Sequence, residues 1–178
     1  SEILYAQWNY DKKVIPTALQ LVSNLFPHYS LHDESHSITI INNIVRILGK
    51  ENIDKLSSID LWLILEASYC HDIGMVVSSE DMIKSLQSKE FLEFFKSLLT
   101  NEKNGLYSFA TQFEIRDNQI YYKSNQFDLK SHDGIKFILA EYFRTRHSDR
   151  SLEIINDPLN KLSLSSPRDV IPPRIFNI

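Results

Sequence analysis

The ten residues Glu66-Ala67-Ser68-Tyr69-Cys70-His71-Asp72-Ile73-Gly74-Met75 decide how the chain reads. They close an apolar segment that starts near Ile59, and they end in an adjacent His71-Asp72 pair followed by a glycine. Leu61, Leu63, Ile64, Leu65 and Ala67 make the segment apolar almost all round, which predicts a helix whose C-terminal end is buried in the domain. An ionised aspartate at a buried helix end is costly unless a cation or a polar partner compensates it. Neutral imidazole and carboxylate together suit Mn, Fe, Zn or Ni, and the carboxylate alone suits Mg. A His-Asp dipeptide by itself is a weak signal, and the chain holds a second one at His132-Asp133. There the favoured reading is helix capping, with Asp133 accepting from backbone N–H groups beside Ser131.

Upstream, Val14, Ala18, Leu21, Val22 and Leu25 have helical spacing, with Pro16 in the first turn and Pro27 as the stop. Tyr5 to Asp11 reads as a short aromatic lead. A loop with His28, His32 and His36 at four-residue intervals follows. From Ser35 or His36 to Leu48, Ile38, Ile41, Ile44, Val45 and Leu48 form a 3.6-residue stripe. Asp33 or Ser35 is available as N-cap, and Gly49 follows the last turn. This helix should pack on the one that ends in His71, which Ser57 or Ser58 can cap. His36, His71 and Asp72 would then supply metal donors from two packed helices.

Downstream, short amphipathic helices fit Asp81 to Gln87 and Lys89 to Leu99. Asn101 to Lys130 is polar and aromatic without helical period, and reads as a lid, binding loop or disordered insert lying outside the helical core. Within it, Phe113 to Tyr122 has the pattern of a hairpin turning at Asp117-Asn118. Helical spacing returns at Ile135, Ile138, Leu139, Tyr142 and Phe143 and leads into Arg144-Thr145-Arg146-His147-Ser148-Asp149-Arg150-Ser151. Arg144, Arg146 and Arg150 read either as a phosphate clamp or as partners of their own helix C-terminus. The tail carries Pro158, Pro167, Pro172 and Pro173 and little periodicity.

Composition bounds these readings. With 178 residues and 43% hydrophobic content, the chain is most simply one domain, 1–178, with a core over about 14–156 and an insert over about 101–130. Cys70, the single cysteine, cannot form an internal disulfide and reads as a small buried side chain, so a reducing cytoplasm is the expected compartment. A net charge of −4 with scattered Lys and Arg gives no strong nucleic-acid signal. No apolar run reaches the roughly 18 residues of a membrane span. The first residue is Ser1, which is consistent with a processed start or with a piece of a longer protein.

His36 within Asp33-Glu34-Ser35-His36-Ser37, followed by an apolar helix ending His71-Asp72-Ile73-Gly74, resembles the HD superfamily of metal-dependent phosphohydrolases. The match is closer to its HD-CE type, which is often associated with a GHKL-type ATPase module. Phe26-Pro27, Tyr29-Ser30, His32 and His36-Ser37 carry that resemblance. So do His71-Asp72-Ile73-Gly74-Met75 and Arg144, Arg146-His147 and Arg150-Ser151, together spanning about residues 25 to 151. The resemblance implies an all-α fold, a divalent metal (Mn, Mg, Fe, Ni or Zn) held by His36, His71 and Asp72, and catalysis involving Asp72, His147 and Arg146. His32 and His147 would stand behind the ligands or against the substrate phosphate. The implied substrate is a nucleotide or another phosphorylated small molecule, and the implied partner a fused or associated GHKL-type ATPase. The family closes its metal site with an aspartate from a late helix; Asp149 and Asp157 are the candidates here, and neither sits in a strong apolar repeat. The alternative is therefore a catalytically incomplete HD-fold module that regulates or binds a partner within a larger, ATPase-containing protein.

Overall fold

The computed structural model describes residues 2–27, 33–124, 129–157 and 161. His28, His32 and the proline-rich tail lie outside the described residues. The described chain is all-α apart from one hairpin. It divides into two compact units: residues 1–76 with 146–178, and residues 77–145. No helix among the described residues is long and apolar enough to cross a membrane.

The first unit opens with α1 (Glu2–Leu19) and the short α2 (Val22–Leu25). The expected aromatic lead is thus helical, and Pro16 falls in the last turn of α1 rather than the first. The inward stripe of α1 runs Leu4, Gln7, Trp8, Asp11, Ile15, Ala18 and Leu19, and two polar residues within it hide the helical period. Next comes α3 (Glu34–Leu48), whose N-cap Asp33 accepts from the backbone N–H of Ser35 at 3.0 Å and of His36 at 3.3 Å. Gly49 ends it at φ 74°, on the left-handed side of the map that only glycine reaches without strain. After α4 (Lys50–Ile53), α5 (Ser58–Cys70) starts in a full capping box: Asp60 N–H donates to Ser57 Oγ, and Ser57 N–H donates to the Asp60 carboxylate.

The C-terminal half of α5 is buried as expected, but only along one face. Ile59 is 59% and Leu63 52% exposed, whereas Trp62, Glu66, Ser68 and Tyr69 are buried. The inward positions Trp62, Glu66 and Tyr69 repeat at four and three residues, so the helical period selects the face and hydrophobicity does not. Tyr69 packs edge-on against Trp8 of α1 at 4.7 Å between ring centroids. A 3-10 turn over Ile73–Met75 follows, buried throughout. The unit closes with α10 (His147–Asn156), a helix over residues whose sequence shows no strong apolar repeat.

The second unit holds α6 (Ser79–Leu86), α7 (Lys89–Leu99), α8 (Tyr107–Ala110), a hairpin of β1 (Phe113–Arg116) and β2 (Gln119–Tyr122), and α9 (Leu129–Arg144). The hairpin register pairs Phe113 with Tyr122 and Arg116 with Gln119. Asp117 and Asn118 both have positive φ, 49° and 59°, as a type I′ turn requires. The core is aromatic: Phe91 meets Tyr142 edge-on at 5.0 Å, and Phe95 meets Phe113 edge-on at 6.1 Å. Ala110 and Phe113 are buried in it. The region expected outside the helical core therefore supplies part of this unit's own core. His132 and Asp133 lie within α9, three and four residues after its first, so neither is the N-cap expected for them.

Candidate metal centre

His36 lies in the first turn of α3, and His71 and Asp72 form the corner where α5 stops. The structure brings the three together. One donor atom from each lies within 4.8 Å of the other two. His71 Nε2 is 2.7 Å and His36 Nε2 3.6 Å from Asp72 Oδ2, and the two Nε2 atoms are 3.3 Å apart. The neighbouring residues Ile73, Gly74 and Met75 are buried, but His71 is exposed and His36 and Asp72 are half-buried, so the cluster opens outward. This is among the described residues the one group of three or more His, Cys, Asp or Glu side chains placed to hold a metal.

The opposite edge of the His71 ring fixes its chemistry. Nδ1 is 3.1 Å from the Ser68 carbonyl, and a carbonyl only accepts, so Nδ1 carries the proton. In the neutral ring Nε2 then presents its lone pair toward Asp72 and His36. Two imidazole nitrogens and a carboxylate oxygen this close repel one another unless a proton or a cation sits among them. Hydrogen bonding to Asp72 raises the His71 pKa above the ordinary imidazole value, against the opposing effect of desolvation. Two nitrogens, one carboxylate oxygen and an open side are a donor set that fits a divalent ion.

The other residues singled out from the sequence are placed differently. Arg146 is half-buried at the N-cap position of α10, and His147, also half-buried, begins that helix; His147 is not a member of the cluster. Asp149 is exposed in the first turn of α10 and Asp157 is its C-cap, and neither joins the three donors. Arg144 donates to Glu141 within α9. Cys70 is half-buried, and its thiol pKa is pushed far up, first by burial and then by the charges of Glu66 and Asp11.

Arg150 and Ser151 have a role that sequence alone did not assign. Arg150 Nε donates to the Gly74 carbonyl at 3.0 Å and its terminal nitrogen to the Val76 carbonyl at 2.9 Å. The backbone N–H of Gly74 donates to Ser151 Oγ at 2.9 Å, and that hydroxyl lies 3.4 Å from the His71 carbonyl. Helix α10 thus ties down the backbone on both sides of Asp72. A Cβ at position 74 would collide with the His147 carbonyl and come within 2.7 Å of the Ser151 backbone nitrogen. Glycine is needed two residues after Asp72 because another helix's backbone occupies that space. The Arg146-His147-x-x-Arg150-Ser151 pattern was visible in the sequence, but Arg150 and Ser151 meet backbone groups of residues 71 to 76.

The family model described as HD-CE matches residues 26–177. The chain belongs to the HD-CE family. No curated protein and no solved structure matches it. In this HD-CE domain, the His71-Asp72-Ile73-Gly74 signature has a plain physical division of labour. The first two residues face the open cluster, the third is buried, and the fourth lets α10 approach.

Proposed function

We propose that this domain is a divalent-metal-dependent phosphohydrolase acting on a nucleotide or another phosphate ester, with His36, His71 and Asp72 as the metal ligands. The observation that carries the reading is the convergence of two Nε2 atoms and one carboxylate oxygen, in an HD-CE chain, on a point that solvent reaches. When bound, the metal lowers the pKa of a water to about 7 and polarises a phosphoryl oxygen. Asp72 supplies the negative charge that offsets the cation, and the Ser68 carbonyl orients His71 from behind. Arg150 and Ser151 hold the Asp72 corner still. Arg146 and His147 are proposed to meet phosphoryl oxygens, the first by bidentate donation and the second by proton transfer. The physiological metal is one of Mn, Mg, Fe, Ni or Zn.

A second reading has an observation of its own. Asp149 and Asp157 stay out of the cluster, which leaves three protein donors among the described residues. A domain that keeps these ligands without completing catalysis would serve as a regulatory or partner-binding module, with a GHKL-type ATPase as the proposed partner. One paired experiment separates the two: melting temperature and phosphate release from a nucleotide panel, with and without Mn²⁺, for wild type and Asp72→Ala. The enzyme reading expects Mn²⁺ to raise the melting temperature by mass action, and expects Asp72→Ala to lower metal affinity and turnover together by on the order of 100-fold. A wild type whose melting temperature ignores Mn²⁺, Mg²⁺, Ni²⁺ and Zn²⁺ alike sinks it. Mn²⁺ binding without phosphate release favours the module.

A further inference from the structure

Asp11 of α1 and Glu66 of α5 meet where the two helices pack. Glu66 is buried, and among the described residues its Oε1 has no hydrogen-bond partner. Asp11 is half-buried and accepts from the Gln7 side chain, and among the described residues neither carboxyl is held by a cation. Around the pair, the thiol of Cys70 stays protonated, and the 3-10 turn that α1 also touches has no titratable side chain. Of α3, which packs on α5 too, Glu34, His36 and Arg46 leave both carboxyls unperturbed. Two further features mark the contact as loosely held. Toward the start of α1 an open apolar cleft of about 230 Å³ lies between Leu4, Tyr5 and Trp8 and the α5 residues Leu61, Trp62 and Leu65. Toward its end Pro16, which has no N–H to give, removes the helical bond to the Lys12 carbonyl and makes a natural hinge.

We propose that residues 2–14 of α1 are a releasable cover on α5, latched while at least one of Asp11 and Glu66 is protonated and let go when both are ionised. The latch does not rest on the phosphohydrolase reading. In the packed state, burial first and then the Asp11 charge hold the Glu66 pKa at about 8, and burial holds that of Asp11 at about 6. Once α1 swings away, both carboxyls regain water and titrate near their ordinary values of 4.5 and 3.8. Closure is therefore fully favoured below about pH 3.8 and loses ground as pH rises through 6 toward 8. Ile15, Ala18 and Leu19 are buried and stay behind as the anchor. The cover lies ahead of residues 26–177, the part matched by the family model, so its release leaves that part whole. What it uncovers is apolar: Trp62, Leu65 and Tyr69 of α5.

Trp8 and Trp62, the two tryptophans of the chain, both stand at this contact, so their emission reports on it directly. The test follows acrylamide quenching of that emission, and hydrogen exchange peptide by peptide, across the neutral and alkaline range for wild type, Glu66→Gln and Asp11→Asn. In wild type, quenching should rise between about pH 6 and pH 9. Exchange within residues 2–14, corrected for its intrinsic pH dependence, should quicken about tenfold or more while α3 and α7 hold. Glu66→Gln keeps the shape of the side chain without its charge and should abolish both changes. Asp11→Asn removes the repulsion alone and should weaken them, and it carries the test if the first variant does not fold. Quenching in wild type that stays flat with pH, an undiminished rise in the variants, or exchange that quickens equally in α3 and α7 overturns the latch.

Discussion

The two units are built from different interiors. Residues 77–145 bury Phe91, Phe95, Phe113, Tyr142 and Phe143, and among the described residues that unit buries no polar side chain. In the other unit Gln7, Ser37, Glu66, Ser68 and Ser151 are all buried. Some of these polar groups are satisfied, such as Ser68 Oγ, which donates to the Ile64 carbonyl at 2.7 Å. Others are not: among the described residues Ser37 Oγ and Glu66 Oε1 have no hydrogen-bond partner, an arrangement that costs about 1–3 kcal/mol for each group. The contrast teaches where the chain accepts a penalty. The unit that carries the His36, His71 and Asp72 cluster holds buried polar groups in its interior, and the other is packed around aromatic rings.

That contrast can be broken most forcefully in the aromatic unit. Phe95 is fully buried, and Phe95→Ala should lower stability by about 3–5 kcal/mol in denaturant melts. Because Phe95 belongs to the other unit, any Mn²⁺-induced rise in melting temperature should persist in the protein that remains folded. Loss of that response would show that the two interiors are not independent.

Gly74→Ala should be the most damaging single methyl in the unit that carries the cluster. The new Cβ meets backbone atoms of α10, which cannot rotate away, so a loss of about 3 kcal/mol is expected together with weakened Mn²⁺ affinity. Thermal melts and metal titration on the same samples check it. A variant as stable as wild type would mean that α10 can shift freely, and the backbone tie would lose its meaning.

Ser151→Ala is milder. It removes the acceptor of the Gly74 N–H and leaves that buried donor unpaired, for about 1–3 kcal/mol, with a smaller fall in metal affinity than Gly74→Ala. The same two measurements rank the pair.

The smallest effect depends on pH and sharpens the contrast most. Glu66 sits buried opposite Asp11, which also hydrogen-bonds Gln7. Burial, then repulsion from Asp11, raises the Glu66 pKa from 4.5 to about 8, and burial raises that of Asp11 to about 6. The folded state therefore holds protons that the unfolded state releases. Stability from this pair is complete below about pH 3.8, the ordinary value of Asp11, and is lost as pH rises toward 8. Glu66→Gln should flatten that slope between pH 5 and pH 8 and leave the acid end unchanged. Urea midpoints across that range decide it, and an unaltered slope would place the titration elsewhere.

The same buried polar residues explain what could be read from the sequence. Where the inward face is apolar or marked by local chemistry, reading succeeds. The capping box at Ser57, the limits of α7 and the Asp117-Asn118 turn all follow from short-range rules. Helix α1 was hidden because Gln7 and Asp11 occupy its core stripe and break the apolar period. The inward face of α5 is not marked in the sequence, because its outward positions, Ile59 and Leu63, are as apolar as a core. The meeting of His36 with His71-Asp72 was legible because each stands at a helix end whose limits are marked. The grip of Arg150 on Gly74 and Val76 was not, since nothing local distinguishes a guanidinium aimed at phosphate from one aimed at carbonyls.

That grip also has a consequence for the order of synthesis. Arg150 follows Gly74 by 76 residues, and the whole of residues 77–145 lies between. On a ribosome adding about 5–20 residues per second, the Asp72 corner waits roughly 4–15 s for the helix that ties it down. The aromatic unit is complete in sequence before then and can fold first. A nascent chain released before residue 150 would carry His36, His71 and Asp72 with the corner at Asp72 unbraced. Pulse-labelled chains stalled on either side of that point should differ in protease resistance around Gly74.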